Sequence, residues 1–147
     1  MDPREFLRVA AEWATGDSEA DWRSAVSRAY YAVHHVGRDL LVSAGFAIPD
    51  GPAAHGAVWL RLANAGQVDV VAAGNTLKLL RNVRNQADYN LGTPFPQKLA
   101  IDQTEAAHDI IQLLDQLAAT PTVLAQVVAA IRVYEQNVLR EVTYRSP

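Results

Sequence analysis

Charged side chains stand where apolar ones are expected on one predicted helix near the middle of the chain. Arg84 follows Leu77 by seven residues and Leu80 by four, so it lies on the apolar stripe of that helix. An arginine in such a position needs an acidic partner or a wet cleft. Asp88 is four residues away and Arg81 three, close enough to meet Arg84 on one face. The group indicates either an ion pair that ties helix ends together or a site that holds a phosphate.

A second row, of aromatic and basic side chains, lies on the long helix before it. The row recurs at steps of three, four and three residues and consists of Arg28, Tyr31, His35 and Arg38. At this spacing the four side chains share one helix face. Aromatic rings can stack on bases while arginines contact phosphates. The alternative is a solvated face whose long side chains cover apolar neighbours, which is the better interpretation for Arg38. It fits Tyr30 and Tyr31 less well, because two adjacent tyrosines cannot both lie on one buried stripe.

The sequence contains no motif that indicates a metal site or a cofactor site. The chain has no cysteine, which excludes disulfides, thiolate catalysis and thiolate zinc sites. His34, His35 and His108 lack the spacing of a known metal motif, and His55 is compatible with a helix cap or a cleft residue. There is no glycine-rich phosphate loop, nucleophile elbow or dinucleotide fingerprint. The sequence therefore predicts no metal site and no cofactor.

Six helices are predicted to position these residues. Apolar stripes at helical spacing, bounded by capping residues, glycine and proline, place them at about residues 3–15, 18–44, 53–65, 68–88, 102–118 and 121–138. Val138 is the last apolar residue of the sixth stripe. No segment shows the period-two alternation of a half-buried strand. The chain is thus predicted to be all-α, an antiparallel bundle of five to six helices forming one domain over residues 1–147.

Composition restricts the setting of this domain. The chain has 147 residues, half of them hydrophobic and a fifth charged, as in an ordinary globular protein. The net charge of -3 argues against coating nucleic acid by charge alone, although it allows a local basic cleft. The charged N-terminus is unlike a signal peptide, and no run reaches the roughly 18 apolar residues of a membrane span. We expect a soluble, cytoplasmic protein that does not enter the membrane.

Three segments in order carry a family resemblance. They are Ser27-Arg28-Ala29-Tyr30-Tyr31-Ala32-Val33-His34-His35, then Ala54-His55-Gly56-Ala57-Val58, then Arg84-Asn85-Gln86-Ala87-Asp88-Tyr89. Together they resemble the small prokaryotic members of the HEPN family (higher eukaryotes and prokaryotes nucleotide-binding), over roughly residues 5–118. The resemblance implies a bundle of four or five helices that forms homodimers. It also implies an RNA or nucleotide ligand, a nucleotidyltransferase as partner protein, and a place in toxin–antitoxin pairs.

The chain departs from the nuclease members of that family at one motif. Those members carry Arg-x4-6-His on the helix that corresponds to the fourth one here, whereas no histidine follows Arg81 or Arg84 at that spacing. Asp88 and Tyr89 occupy the helix end instead, and an ionised aspartate repels phosphate. His35 follows Arg28 at a matching interval, but on a different helix.

Three functions fit these residues. The first is a nucleotide- or RNA-binding module that uses a surface consisting of Arg28, Tyr31, His35, Arg81, Arg84, Asp88 and Tyr89. The second is a metal-independent endoribonuclease with a non-standard site, for which Arg84, Asp88 and His35 are the catalytic candidates. The third is a non-catalytic structural or partner-binding bundle in which Arg84 and Asp88 are internal scaffolding.

Overall fold

The computed structural model describes all 147 residues and is built from helices. They are α1 Arg4–Ala14, α2 Glu19–Ser43, α3 Ala53–Ala63, α4 Val68–Tyr89, α5 Gln97–Ala118 and α6 Pro121–Tyr134, and a π-helical turn, Glu135–Leu139, follows α6 directly. The only sheet-like pairing is one isolated antiparallel bridge between Phe46 and Tyr144. The predicted all-α class and the number of helices are therefore confirmed.

The chain divides into two compact units, whose boundaries fall inside α2 and α4 and within α5. Unit 1 consists of Met1–His35 and Thr76–Ile111, and unit 2 of Val36–Asn75 and Gln112–Pro147. Every residue of the predicted binding surface lies in unit 1. The organisation as a single domain stays a prediction.

Local sequence signals set the beginning of α2. Ser18 and Asp21 form a reciprocal capping box: the Asp21 N–H donates to Ser18 Oγ at 3.1 Å, and the Asp21 carboxylate accepts from the Ser18 N–H at 3.1 Å. The Trp22 indole N–H donates to the carbonyl of Gly16 at 2.8 Å. These bonds satisfy donors that a helix start leaves unpaired, and they fix where α2 leaves the preceding turn.

The predicted apolar stripes form the core. On α2, Val26, Ala29 and Val33 are completely buried. On α4 and α5 every predicted stripe residue is buried, namely Val70, Ala73, Leu77, Leu80, Ala87, Ala107, Ile110, Ile111, Leu114 and Leu117. Packing of these apolar faces fixes α2 and α4, which carry the polar side chains of the predicted binding surface.

Two predicted helix boundaries were wrong. α5 begins at Gln97, five residues earlier than expected, directly after Pro96. Its first turn is helical because Leu99, Ala100 and Ile101 pack against an apolar cluster in unit 1. The α-helix of α6 ends at Tyr134, and Val138, expected on its apolar stripe, is 67% exposed on the π-helical turn.

The last residues of the chain, 140–147, form a segment that we call the C-terminal strap. Arg140 has a left-handed backbone with φ of 53°. Beyond it, the Arg145 N–H donates to the Gly45 carbonyl at 2.7 Å and the Ala47 N–H donates to the Thr143 carbonyl at 3.3 Å. The strap is thus tied by backbone hydrogen bonds to the turn that follows α2.

No single helix combines the length and the apolar character that a membrane crossing requires; α5 and α6 with its π-helical turn pass that test only when this bent pair is counted together.

Candidate functional site

The row on α2 is held together by ring contacts. Tyr31 and His35 stack with their ring centres 6.1 Å apart. The Arg28 guanidinium lies over the Tyr31 ring at 5.3 Å and over the Phe6 ring of α1 at 4.9 Å. All four side chains are partly exposed. Cation–π contacts of this kind attract an arginine to the faces of neighbouring rings. Arg38, by contrast, pairs with the exposed Asp50 at 3.0 Å in unit 2.

Arg84 is the centre of the contacts on α4. Its Nε lies 2.9 Å from the Asp88 carboxylate in an ion pair. One terminal nitrogen donates to the Asn85 side-chain oxygen at 2.8 Å, and the other donates to the Tyr31 hydroxyl. The Ser27 hydroxyl donates to the same Asp88 carboxylate at 3.3 Å. Both terminal nitrogens of Arg84 are therefore hydrogen-bonded, whereas its Nε is paired with Asp88 by charge without a hydrogen bond. Tyr31 joins the two rows into one cluster.

Three tyrosine rings surround the Arg84 guanidinium. It lies 4.8 Å from the ring centre of Tyr31, 5.6 Å from that of Tyr30 and 5.9 Å from that of Tyr89. Tyr30 is buried, and burial raises the pKa of its hydroxyl to about 12, although the charges of Arg81 and Arg84 act in the opposite direction. Tyr30 is therefore protonated at neutral pH. Tyr89, in contrast, is 76% exposed.

The cluster contains more basic than acidic side chains. Arg84 is balanced by Asp88, whereas Arg28 and Arg81 have no ion-pair partner. Three arginines and one aspartate leave a local formal charge of +2 on a chain whose net charge is -3. The arrangement can offer two uncompensated guanidinium groups to phosphates and an exposed ring to a base.

The sequence analysis did not predict a buried arginine of α2, Arg23, that contacts the C-terminal end of α4. Arg23 of α2 is 8% exposed and pairs with Glu19 at 2.8 Å. It donates to four backbone carbonyls, those of Gln86, Ala87, Asn90 and Thr93, at 3.2, 2.8, 3.2 and 2.6 Å. The signal for it was indirect: α4 ends without a capping glycine, so its last carbonyls need a donor from elsewhere.

Of the remaining histidines, the buried His34 contacts the cluster: its ring centre lies 5.8 Å from that of Tyr30 and 5.3 Å from that of His35. His108 is exposed on α5, with Nδ1 3.6 Å from the Asp109 carboxylate. His55 lies on α3 in unit 2. No three or more histidine, aspartate or glutamate side chains come together in a way that could hold a metal ion.

Comparison with known proteins adds no relative to this description: no family model, no curated protein and no solved structure matches the chain. Fold and site together define an all-α protein with a cluster on α2 and α4. We call it the arginine–tyrosine cluster, and its members are Arg28, Tyr30, Tyr31, His35, Arg81, Arg84, Asp88 and Tyr89.

Proposed function

We propose that the chain is a HEPN-like nucleotide- or RNA-binding module whose ligand lies on the arginine–tyrosine cluster. The observation that supports this most strongly is the contact of Arg84 with Tyr31, which joins two partly exposed rows into one surface with a local charge of +2. Arg28 and Arg81 contact phosphates, since their charges have no acidic partner in the chain. The exposed Tyr89 stacks on a base, and Asp88 orients Arg84.

The resemblance of three segments to the HEPN family supports the wider setting of the proposal. The module acts in the cytoplasm as a homodimer. It is the HEPN component of a toxin–antitoxin or nucleotidyltransferase pair, with a nucleotidyltransferase-type protein as its partner. The segment around Arg84 contributes to this resemblance through Arg84, Asp88 and Tyr89, which are also the residues that the cluster brings together.

A structural role is the second candidate, and the environment of Arg84 favours it. Its side chain is only 11% exposed, both of its terminal nitrogens are hydrogen-bonded within the chain, and its Nε lies 2.9 Å from the Asp88 carboxylate. In this alternative the cluster ties α2 to α4, and the chain acts through a protein partner. Removal of Arg84 would then cost stability and leave any affinity for RNA unchanged.

Binding and cleavage of a mixed single-stranded RNA pool, without metal, test the proposal. Fluorescence anisotropy compares the parent with the double variant Arg28→Ala/Arg81→Ala and with Arg84→Ala. Arg145→Ala, which removes an exposed charge in unit 2, is the matched control. We expect the double variant to bind at least about tenfold more weakly, because it loses two charge-assisted contacts, and the control to bind like the parent.

The same experiment separates the alternatives. A double variant that binds like the parent contradicts the proposal. Cleavage by the parent but not by Arg84→Ala would identify a ribonuclease in which His35, or Asp88 with Tyr89, replaces the usual histidine. Because Arg84→Ala leaves Asp88 without its partner, thermal melting of Arg84→Ala/Asp88→Ala shows whether lost binding reflects lost folding.

A further inference from the structure

The end of α4 is held by a side chain from another helix. A helix C-terminus leaves its last carbonyls without partners inside the helix. Arg23 donates to two of these carbonyls, Gln86 and Ala87, and continues to Asn90 and Thr93 in the loop that follows. Its guanidinium also lies over the Phe95 ring at 5.2 Å. One buried charge therefore fixes the backbone on both sides of Tyr89.

The backbone fixed in this way carries large apolar side chains into solvent. Tyr89 is 76% exposed and Leu91 is 72% exposed. The Tyr89 ring centre lies 5.9 Å from the guanidinium of Arg84, the central arginine of the cluster. A side chain on a backbone that is already ordered loses less entropy when a ligand immobilises it. Tyr89 thus has the exposure and the support of a preorganised stacking surface.

We propose that Arg23 is a positioning residue for RNA: it fixes the end of α4 so that Tyr89 forms a platform for one unpaired base, next to phosphates bound by Arg28 and Arg81. This inference rests on the proposed function. The ligand is single-stranded, because the faces of paired and stacked bases are hidden inside a duplex. Recognition is tolerant of sequence, because every base has a face that can stack on an aromatic ring.

Arg23 acts through Tyr89, so the effects of changing the two residues should not add. Arg23→Met keeps much of the side-chain length but removes every donor to the four carbonyls. Arg23→Lys retains a charge and a compact donor group and should rescue part of the effect. Leu91→Ser is the matched control, since it alters an exposed apolar side chain of the loop after α4 and leaves residue 89 as tyrosine.

A double-mutant cycle with a short single-stranded RNA that carries 2-aminopurine measures this coupling. Tyr89→Ala should weaken binding by roughly 5- to 150-fold, the range for one stacked base, and should abolish the quenching of 2-aminopurine. Arg23→Met should weaken binding to a similar degree. In the Tyr89→Ala background, Arg23→Met should change the affinity by less than about twofold, while it still lowers the melting temperature as it does in the parent.

The outcomes separate this inference from the proposed function. Affinity losses that add in the double variant would show that Arg23 does not act through Tyr89 and would overturn the inference. The same holds if Arg23→Met is folded and binds and quenches like the parent; either result leaves RNA binding by the arginines intact. A parent that does not bind the RNA overturns both. If Arg23→Met does not fold, the cycle with Arg23→Lys gives the same decision.

Discussion

At the scale of single residues, buried arginines form hydrogen bonds and ion pairs that hold separate segments of the chain together. Arg61 of α3 is 4% exposed and bonds through Nε at 3.0 Å to Glu135, whose side chain is completely buried. Burial opposes the ionisation of Glu135, but hydrogen bonds from the Thr143 hydroxyl and N–H and from Arg61 outweigh it, so its pKa lies below the ordinary 4.5. The buried pair therefore stabilises unit 2 only while Glu135 is charged.

The lowered pKa of Glu135 predicts the pH range in which this stability is lost. A carboxyl whose pKa is depressed by folding contributes stability above its ordinary pKa, and loses it as pH falls through the folded value. Urea unfolding should thus show a loss below about pH 4.5 that Glu135→Gln lacks. At pH 7 this variant should be about 3–5 kcal/mol less stable, because Arg61 keeps an unpaired buried charge.

Variants that remove both charges provide the control for this prediction. Arg61→Met/Glu135→Leu should regain most of the lost stability at pH 7, since apolar replacements remove the unpaired charge. A Glu135→Gln variant that is as stable as the parent at pH 7, with the same acid profile, would show that the pair does not contribute as described.

At the scale of elements, the sequence predicts what is local and misses what is distant. The stripe of α4 and the capping box of α2 follow from spacing alone, because both depend on residues three or four apart. Spacing also identified the two rows of the site, but not that they meet through Tyr31 and Arg84, 53 residues apart. The hydrogen bonds of Arg23 reach backbone carbonyls 63 to 70 residues away in the sequence, so no periodic sequence pattern indicates them.

The C-terminal strap is an element whose attachment can be tested. Gly45 has φ of 107°, and a Cβ there would lie 2.4 Å from the Arg145 carbonyl oxygen. Gly45→Ala should therefore detach the strap, and trypsin should cleave after Arg140 at least about tenfold faster, as a loosened segment is the substrate of limited proteolysis. Mass spectrometry of the lost residues 141–147 provides the measurement.

Gly51→Ala is the matched control for this prediction. Gly51 also has positive φ, at 71°, but no atom lies within 4 Å of its added Cβ. The two variants share backbone strain of about 1 kcal/mol, and they differ in the clash with the strap. Equal cleavage rates after Arg140 in the two variants would contradict this account of how the strap is held.

At the scale of the whole molecule, charge sets how RNA binding should respond to salt. The chain carries a net charge of -3, so long-range attraction to RNA is weak. In the proposed function, Arg28 and Arg81 supply the phosphate contacts. Two contacts to a single strand predict a slope of about -1.4 for log affinity against log salt. Anisotropy titrations in KCl should give this value for the parent and about -0.7 for Arg28→Ala. A slope steeper than about -3 would indicate a larger basic surface than the cluster provides.

The hydrogen bonds from Arg23 to backbone carbonyls also determine where extra residues can be inserted into the chain. The connection between α4 and α5 offers its carbonyls at Asn90 and Thr93 to a single guanidinium, so added residues there would draw acceptors away from a buried charge. The turn at Gly51 is exposed and has open space around it, and none of its carbonyls accepts a hydrogen bond from Arg23. A reporter peptide or an affinity label therefore belongs in the turn before α3, where the arginine–tyrosine cluster keeps its geometry.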